Sequence, residues 1–195
     1  MYKLGIVIPY LENSKQAKEL WLELKENLMK QVEDHSNDVI ALLCTDDPKH
    51  PEGLSKMRNK GIDKLVDLCR YILFLDADDM IDEDYIDKMI KATKSKAEML
   101  ESIFSIREYP LPFNPYELKN HVTGIAFRSD VIGMNRFDES IKFGEDKEFV
   151  NRIIDLSKMK KEFVDTTYYY NYGANPDCMS YRWSRGELKW KENVS

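Results

Sequence analysis

The residues best suited to chemistry are carboxylates that follow an apolar run near the middle of the chain. Asp76 and Asp78 come directly after residues 71–75, and six of the nine residues from 76 to 84 are acidic. Carboxylates this close together either take up protons or bind a cation, and hard oxygen ligands suit Mg²⁺ or Mn²⁺. We therefore predict that Asp76 and Asp78 bind a divalent metal or a nucleotide.

The last three acidic residues of this run, Asp82, Glu83 and Asp84, precede an amphipathic segment and have a simpler interpretation. Negative side chains stabilise a helix N-terminus, because they accept hydrogen bonds from its unpaired N–H groups and complement its dipole. We expect these three residues to cap the helix that follows.

A second carboxylate pair, Glu145-Asp146, begins a predicted amphipathic helix far downstream. A carboxylate in such a position can accept the proton of a hydroxyl that acts as a nucleophile. The pair can equally cap the helix, as aspartate commonly does. The residues alone leave both interpretations open.

The elements that would position these side chains alternate between strands and helices over the first 108 residues. Apolar runs at 4–9, 39–44 and 71–75 predict three strands, and amphipathic segments between them predict two helices. This order is typical of a parallel sheet, in which ligands bind at the carboxyl ends of the strands. A helix near 86–93 and a strand at 99–106 continue the pattern.

The second half of the chain begins with a proline-rich segment. Three prolines between 109 and 115 predict a loop, because proline neither continues a helix nor fits a central strand. Beyond the loop we expect a strand at 124–128, a helix from 146 to about 156, and short strands near 162–164 and 168–172.

Composition limits the class of protein. The 195 residues are 43% hydrophobic, which suffices for the core of one α/β domain. A net charge of -6 argues against a general nucleic-acid binder, which needs a basic face. Three widely spaced cysteines fit neither a disulfide framework nor a zinc site, so we expect reduced thiols in a cytoplasmic protein. No cleavable signal or membrane-spanning run is visible.

Asp76-Ala77-Asp78 resembles the Asp-x-Asp signature of glycosyltransferases with the GT-A fold, in the form common to family 2. The resemblance implies that Asp76 faces the ribose or uracil of a donor nucleotide. Asp78 would bind the metal ion, Mn²⁺ or Mg²⁺, that bridges the donor diphosphate, with Asp76 beside it. Asp79 is an alternative ligand.

Two stretches upstream resemble nucleotide-binding parts of the same family. Pro9-Tyr10 at the end of the first strand, with Glu12 after it, resembles the opening strand end and turn that lie over the nucleotide base in the family. Asp46-Asp47 resembles the paired aspartates that hydrogen-bond uracil, although Pro48 stands where the family has glycine. The resemblance therefore places these residues on the donor.

Arg58-Asn59-Lys60-Gly61 matches the Arg-Asn-x-Gly signature of the family. The match implies that Arg58 and Asn59 lie near the donor, where Arg58 offsets the charge of the diphosphate. It also implies that Gly61 permits close packing of its helix. Without that context, an Arg-Asn pair on a helix would be solvated surface.

Two later stretches resemble the acceptor side of the family. His121 and Gly124 fall in a segment similar to its acceptor-side strand, and Glu145-Asp146 resembles its Glu-Asp motif. The likeness implies that Asp146 is the base that takes the acceptor's proton. Glu145 would orient the acceptor or serve as the alternative base. A lone histidine such as His121 also fits a purely structural role.

The resemblance covers residues 2–180 and implies the GT-A fold, a three-layer α/β/α sandwich around a mostly parallel sheet. We expect one domain over 1–195, with a nucleotide-sugar half (1–108), an acceptor half (109–180) and a C-terminal tail (181–195). The tail mixes aromatic and basic residues, and we expect it to pack on the domain or on a second subunit.

The implied reaction is the inverting, metal-dependent transfer of a hexose from a nucleotide sugar, a UDP-sugar by resemblance, to an acceptor hydroxyl. The acceptor could be a glycan, a lipid-linked sugar, a protein or a modified base, and a homo-oligomer or a partner protein could complete its site. Two alternatives remain open. Asp76 and Asp78 also fit a haloacid-dehalogenase-like Mg²⁺-dependent phosphatase, and the fold also fits a non-catalytic module that binds sugar nucleotides.

Overall fold

One mixed sheet organises the computed structural model of the protein, which describes residues 1–107, 121–141, 144–153 and 158–171. Its strands are β1 (Tyr2–Tyr10), β2 (Val39–Thr45), β3 (Cys69–Phe74), β4 (Met80–Ile81), β5 (Met99–Ile106), β6 (Ile125–Arg128) and β7 (Lys161–Tyr170). Its helices are α1 (Lys15–Asp34), α2 (Leu54–Leu65), α3 (Tyr85–Ala92), α4 (Ser129–Ile132) and α5 (Glu145–Ile153), with a 3₁₀ turn at Thr93–Ser95. Among the described residues, no helix combines the length and the apolar character needed to span a bilayer.

The strands lie in the order β2-β1-β3-β6-β5-β7-β4. β1 pairs in parallel with β2 and β3, and β5 pairs in parallel with β7. β6 is antiparallel to both β3 and β5, and β4 is antiparallel to β7. β1, β2, β3, β5 and β7 therefore share one direction, which confirms the expected mostly parallel sheet.

Helices cover both faces of the sheet. On one face, Leu24 of α1 belongs to the same buried cluster as Ile6 of β1, together with residues of α3. On the other face, Ile62 of α2 and Phe149 of α5 share a cluster with Val7. Ile6 and Val7 point to opposite faces because side chains alternate along a strand. The expected three-layer α/β/α arrangement is confirmed.

Helix α2 approaches β1 closely at Gly61. A Cβ atom at this position would overlap both methyl groups of Val7, so only glycine fits without a shift of the helix. The close packing that the Arg-Asn-x-Gly resemblance implies is therefore present.

The structure corrects the expected elements near the end of the described chain. β7 is one continuous ten-residue strand rather than two short ones. The polar residues Asp165, Thr166 and Thr167 break the apolar pattern, but an irregularity in the pairing with β5 accommodates them. The two-residue strand β4 was not expected. The predicted loop at 109–115, the predicted helix end near 156 and the tail at 181–195 lie outside the described residues.

Candidate active site

The predicted site residues meet at the carboxyl edge of the sheet. β1, β2 and β3 end side by side there, and the segments that follow them carry Glu12, Asp46 and Asp76. The start of α5 approaches the same edge, because Arg58 binds both Asp76 and Glu145. The two carboxylate motifs, far apart in sequence, are therefore neighbours in space.

A buried ion-pair bridge centred on Arg58 joins these motifs. The guanidinium donates from Nη1 to Oε1 of Glu145 at 2.8 Å and from Nη2 to Oδ1 of Asp76 at 3.1 Å, and Arg58 is only 2% exposed. It also lies over the ring of Phe137, 5.3 Å from the centroid. Burial by itself lowers the pKa of Arg58, but the carboxylates of Asp76 and Glu145 outweigh it and raise the pKa. Arg58 is therefore a permanently charged internal cation.

Asn59 fixes the segment that leads to α5. Its Nδ2 donates to the carbonyl of Phe137 at 3.0 Å, and its Oδ1 accepts from the N–H of Phe137 at 2.8 Å. The same Nδ2 donates to Glu139 at 2.9 Å. Phe137 in turn stacks on Phe149 of α5, with the ring centroids 4.0 Å apart. The Arg58-Asn59 pair is thus an internal support between α2 and α5, not solvated surface.

Glu145 and Asp146 occupy the first turn of α5 in different environments. Glu145 is 3% exposed and ion-paired with Arg58, whereas Asp146 is partly buried and accepts a hydrogen bond from the N–H of Lys147 at 2.8 Å. Burial raises the pKa of both carboxyls, and the positive charge of Arg58 opposes that rise. A carboxylate with a raised pKa is a better proton acceptor than an ordinary surface aspartate.

Residues 76–79, here called the aspartate turn, connect β3 to β4. Asp76 contacts Arg58, Ala77 is buried, and Asp78 is partly exposed. Asp79 is 1% exposed. It accepts hydrogen bonds from the hydroxyl of Tyr168 and from the backbone N–H of Asn171, the residue that follows β7. Burial, then the charges of Asp78 and Asp76, raise the pKa of Asp79 well above its ordinary value. Both oxygens of Asp79 accept hydrogen bonds inside the protein, which favours Asp78 over Asp79 as the metal ligand.

The prediction that Asp82, Glu83 and Asp84 cap helix α3 is wrong for Asp82. The carboxylate of Asp82 accepts from the N–H of Thr167 at 2.7 Å and from the hydroxyl of Tyr169 at 2.8 Å, so it holds β7 instead. Asp84 occupies the N-cap position but makes no side-chain cap hydrogen bond. The tertiary contacts of Asp82 with β7 override its local helix-capping tendency.

The residues predicted to face the nucleotide base lie on the ends of β1 and β2. The hydroxyl of Tyr10 donates to Glu12 at 3.1 Å, and burial followed by this bond raises the pKa of Tyr10 to about 12. Pro9, just before it, is buried. The carboxylate of Asp46 accepts from the backbone N–H groups of Asp47, Glu52 and Gly53 at 2.9 to 3.0 Å. Asp46 therefore shapes the loop between β2 and α2.

His121 and Gly124 lie beside the end of β3, where the N–H of Gly124 donates to the carbonyl of Phe74 at 2.9 Å. Burial lowers the pKa of His121 to about 4, although a hydrogen bond with Thr123 and the charge of Asp76 oppose this shift. Gly124 has a φ of +74°, and a Cβ there would lie 2.9 Å from the ring of Tyr168. Gly124 is thus required by backbone conformation and by packing.

The donor set for a metal at this edge consists of hard carboxylate oxygens. Among the residues that the structure describes, no three His, Cys, Asp or Glu side chains are grouped to hold a metal ion. Mg²⁺-like ions are commonly held by one or two carboxylates together with phosphate oxygens of the substrate. Asp78, partly exposed on the turn, with Asp76 beside it, fits an ion of that kind better than a metal held by protein alone.

The sequence analysis missed two residues that hold the aspartate turn, Tyr168 and Asn171. Both were expected only as part of a short strand near 168–172. Their partners Asp78 and Asp79 lie about ninety residues away, with separations of 89 and 93 positions. No local pattern announces such contacts, because they depend on how β7 is placed next to β4.

Comparison with known proteins identifies the fold. No protein-family model matches the chain. The Minor teichoic acid biosynthesis protein GgaB of Bacillus subtilis (strain 168) is 25% identical over an alignment of 170 residues, and the match covers 71% of this chain and 19% of GgaB. The chain therefore spans a small part of this curated relative.

Two solved structures resemble this one. Residues 1–349 of S. aureus TarS superpose with a TM-score of 0.63 and 14% identity, covering 88% of this chain and 61% of that one. The catalytic domain of Drosophila β1,4-galactosyltransferase 7 gives a TM-score of 0.56 and 16% identity, covering 84% and 65%. Similar structures include TarS with UDP or UDP-GlcNAc, and a mutant of the galactosyltransferase with manganese, UDP-Gal and xylobiose.

The chain therefore has the GT-A fold expected from the resemblance. This fold gives no support to the haloacid-dehalogenase-like alternative, which rested on the Asp-x-Asp spacing alone.

Proposed function

We propose that this chain carries the catalytic site of a glycosyltransferase that moves a hexose from a UDP-sugar to an acceptor hydroxyl with inversion. The observation that carries the proposal is the Arg58 bridge, which ties Asp76 of the aspartate turn to Glu145 beside Asp146. The GT-A fold supports it, as does the likeness to structures that contain UDP or UDP-sugars.

The donor lies along the carboxyl ends of β1, β2 and β3 in this proposal. Pro9, Tyr10, Glu12 and Asp46 line the side of the uracil base, with Asp46 acting through the loop that it holds. Asp76 faces the ribose. Arg58 and Asn59 support this side of the site from inside, and Arg58 also contributes positive charge near the diphosphate.

A divalent cation, Mn²⁺ or Mg²⁺, is proposed to be held by Asp78 with Asp76, where it would stabilise negative charge on the departing diphosphate. The manganese-containing relative supports a metal of this kind.

Asp146 is the proposed general base. The acceptor oxygen forms a bond to the anomeric carbon while the bond from that carbon to the diphosphate oxygen breaks, so UDP leaves with the electron pair. Asp146 takes the hydroxyl proton during the attack, and attack from the side opposite to UDP inverts the anomeric carbon. Its raised pKa favours this transfer. Glu145 is ion-paired in the interior and positions the first turn of α5.

The acceptor is proposed to bind on the side of the sheet marked by His121 and Gly124. Because burial keeps His121 uncharged near neutral pH, it contributes hydrogen bonding rather than charge. The name of the B. subtilis relative places that protein in teichoic acid biosynthesis, which favours a teichoic acid hydroxyl over a protein or a modified base.

The decisive variant is Asp146→Asn, which keeps the size of the side chain and removes the base. We expect turnover of UDP-sugar to fall by about 10²- to 10⁴-fold, the usual worth of general base catalysis, while calorimetric binding of UDP with Mn²⁺ stays unchanged. Glu148→Gln is the matched control, because Glu148 lies two residues further along α5 and pairs with Arg152 on the surface. It should turn over normally.

Three results would contradict parts of the proposal. Full activity in Asp146→Asn would remove Asp146 as the base. Binding of UDP without turnover by the wild-type protein, with a panel of sugars and acceptors, would favour a non-catalytic binding module. Release of free phosphate without UDP would favour phosphatase chemistry.

A further inference from the structure

The aspartate turn is held from behind by the end of β7. Asn171 donates from Nδ2 to the carbonyl of Asp78 at 2.7 Å and from its backbone N–H to Asp79 at 2.7 Å. The hydroxyl of Tyr168 donates to Asp79. The same hydroxyl accepts from the backbone N–H of Asp76, with 3.4 Å between the nitrogen and the oxygen. Two residues of one strand end thus contact three of the four residues of the turn.

We infer that Tyr168 and Asn171 are positioning residues that set the conformation of the aspartate turn, and with it the placement of Asp76 and Asp78. The inference deepens the proposed function and rests on it for its consequence, which is the binding of the donor diphosphate. Neither residue has to touch the donor, because each acts through the turn.

Burial makes these contacts specific. Asp79 and Tyr168 are each 1% exposed, and Asn171 is 4% exposed. A buried carboxyl that lost its donors would leave polar atoms unsatisfied, at a cost that favours the one turn conformation in which they are bonded. The turn is therefore held by an internal anchor, Asp79, while Asp78 on the same turn remains partly exposed.

The pairing of β7 with β5 sets the positions of Tyr168 and Asn171, which bind the anchor Asp79. Ser102 and Ile103 are consecutive in β5 but pair with Val164 and Thr167, so β7 carries two extra residues at this irregularity. Such bulges bend a strand and redirect the side chains that follow. Asp82, which lies three residues after Asp79 in the chain, accepts from the N–H of Thr167 and so holds β7 at this point. The segment from the aspartate turn to Asp82 thus holds β7, and the end of β7 in turn positions the aspartate turn.

The competing explanation is that Tyr168 and Asn171 merely fill the core. Asn171→Ala removes the bond to the Asp78 carbonyl and keeps the backbone bond to Asp79, whereas Tyr168→Phe removes only a hydroxyl. Tyr71→Phe is the matched control, because Tyr71 is also fully buried and its hydroxyl donates at 2.6 Å to Ala97, at the opposite edge of the sheet. A core-filling role predicts the same behaviour for Tyr168→Phe and Tyr71→Phe.

Hydrogen–deuterium exchange on the free protein tests the positioning directly. We expect the amides of residues 76–79 to exchange faster in Asn171→Ala and Tyr168→Phe than in the wild type, and to be unchanged in Tyr71→Phe. Unchanged exchange at the turn in both test variants would overturn the inference, as would equally fast exchange there in Tyr71→Phe.

Calorimetry with UDP and Mn²⁺ tests the consequence. Both test variants should bind about 3- to 10-fold more weakly than the wild type, the effect of one neutral hydrogen bond, and Tyr71→Phe should bind normally. Faster exchange with unchanged UDP affinity would refute the link to the donor site. If the wild type does not bind UDP, the proposed function fails, while the exchange result still decides whether β7 positions the turn.

Discussion

Replacing Arg58 by methionine tests the bridge on which the proposed site depends. The change keeps much of the side-chain volume but removes the charge between Asp76 and Glu145. Arg58 is 2% exposed and Glu145 is 3% exposed, so water cannot easily replace Arg58 as the partner of Glu145. Breaking a buried ion pair by removing one partner costs about 3–5 kcal/mol. For a chain of this size we expect the unfolding midpoint to fall by about 6–20 °C.

The loss should depend on pH in a definite direction. Burial already raises the pKa of Glu145, and removing Arg58 removes the charge that opposes this rise. A carboxyl whose pKa is higher in the folded than in the unfolded state favours folding below its unfolded value of about 4.3, and this contribution is lost as the pH rises through the folded pKa. The stability of Arg58→Met should therefore fall further below that of the wild type at pH 8 than at pH 5.

Thermal unfolding at the two pH values, with a second variant, measures both effects. Arg58→Met combined with Glu145→Gln removes both charges, so it should recover part of the stability, with a coupling of about 0.5–3 kcal/mol. Lys88→Met, which removes only an exposed ion pair with Asp84, should change the midpoint little. A loss below about 1 kcal/mol at pH 8 for Arg58→Met, or a deficit that grows on acidification, would refute the reasoning.

Two further predictions concern packing and titration. Gly61→Ala should destabilise the protein by about 1–3 kcal/mol in urea unfolding, because its Cβ would overlap Val7. Lys64→Ala, on the exposed side of α2, should not. Equal unfolding midpoints for Gly61→Ala and the wild type would show that α2 can shift. His121 should show no imidazole titration by NMR between pH 5 and 8, since its pKa is lowered to about 4. With the folded pKa below the unfolded value of about 6.5, its contribution to stability should be lost as the pH falls from 6.5 through 4; a midpoint near 6.5 would contradict its burial.

The parts of the fold that the sequence could predict are those set by local patterns. The strands β1 and β3 are apolar runs, since they are buried between two helical layers, whereas β2 is an apolar edge strand that is only partly buried. The intervening helices show their buried stripe directly. The placement of Asp76 at a strand's carboxyl end follows from the same pattern. β4 could not be predicted because a two-residue strand carries no periodicity.

The roles of the individual acidic residues could not be predicted, because identical side chains have partners from different elements. Asp76 binds Arg58 of α2, Asp79 binds residues at the end of β7, and Asp82 holds the bulge of β7. From the sequence, Asp79 was a candidate ligand and Asp82 a helix cap. The difference arises from burial and from the register of β7, which neither the composition nor the spacing of the run contains.

The Arg58 bridge explains why an arginine on α2 accompanies the two carboxylate motifs. Glu145 is almost fully buried, so it needs a positive partner to remain charged, and the partly buried Asp76 pairs with the same arginine. One guanidinium serves both, since its fork of donors reaches two carboxylates at once. A chain of this fold that lacked the arginine would have to replace Glu145 by a neutral residue, supply another cation, or bury a protonated acid. The three residues are therefore one electrostatic unit, and a resemblance that includes all of them in order carries more information about the site than each motif by itself.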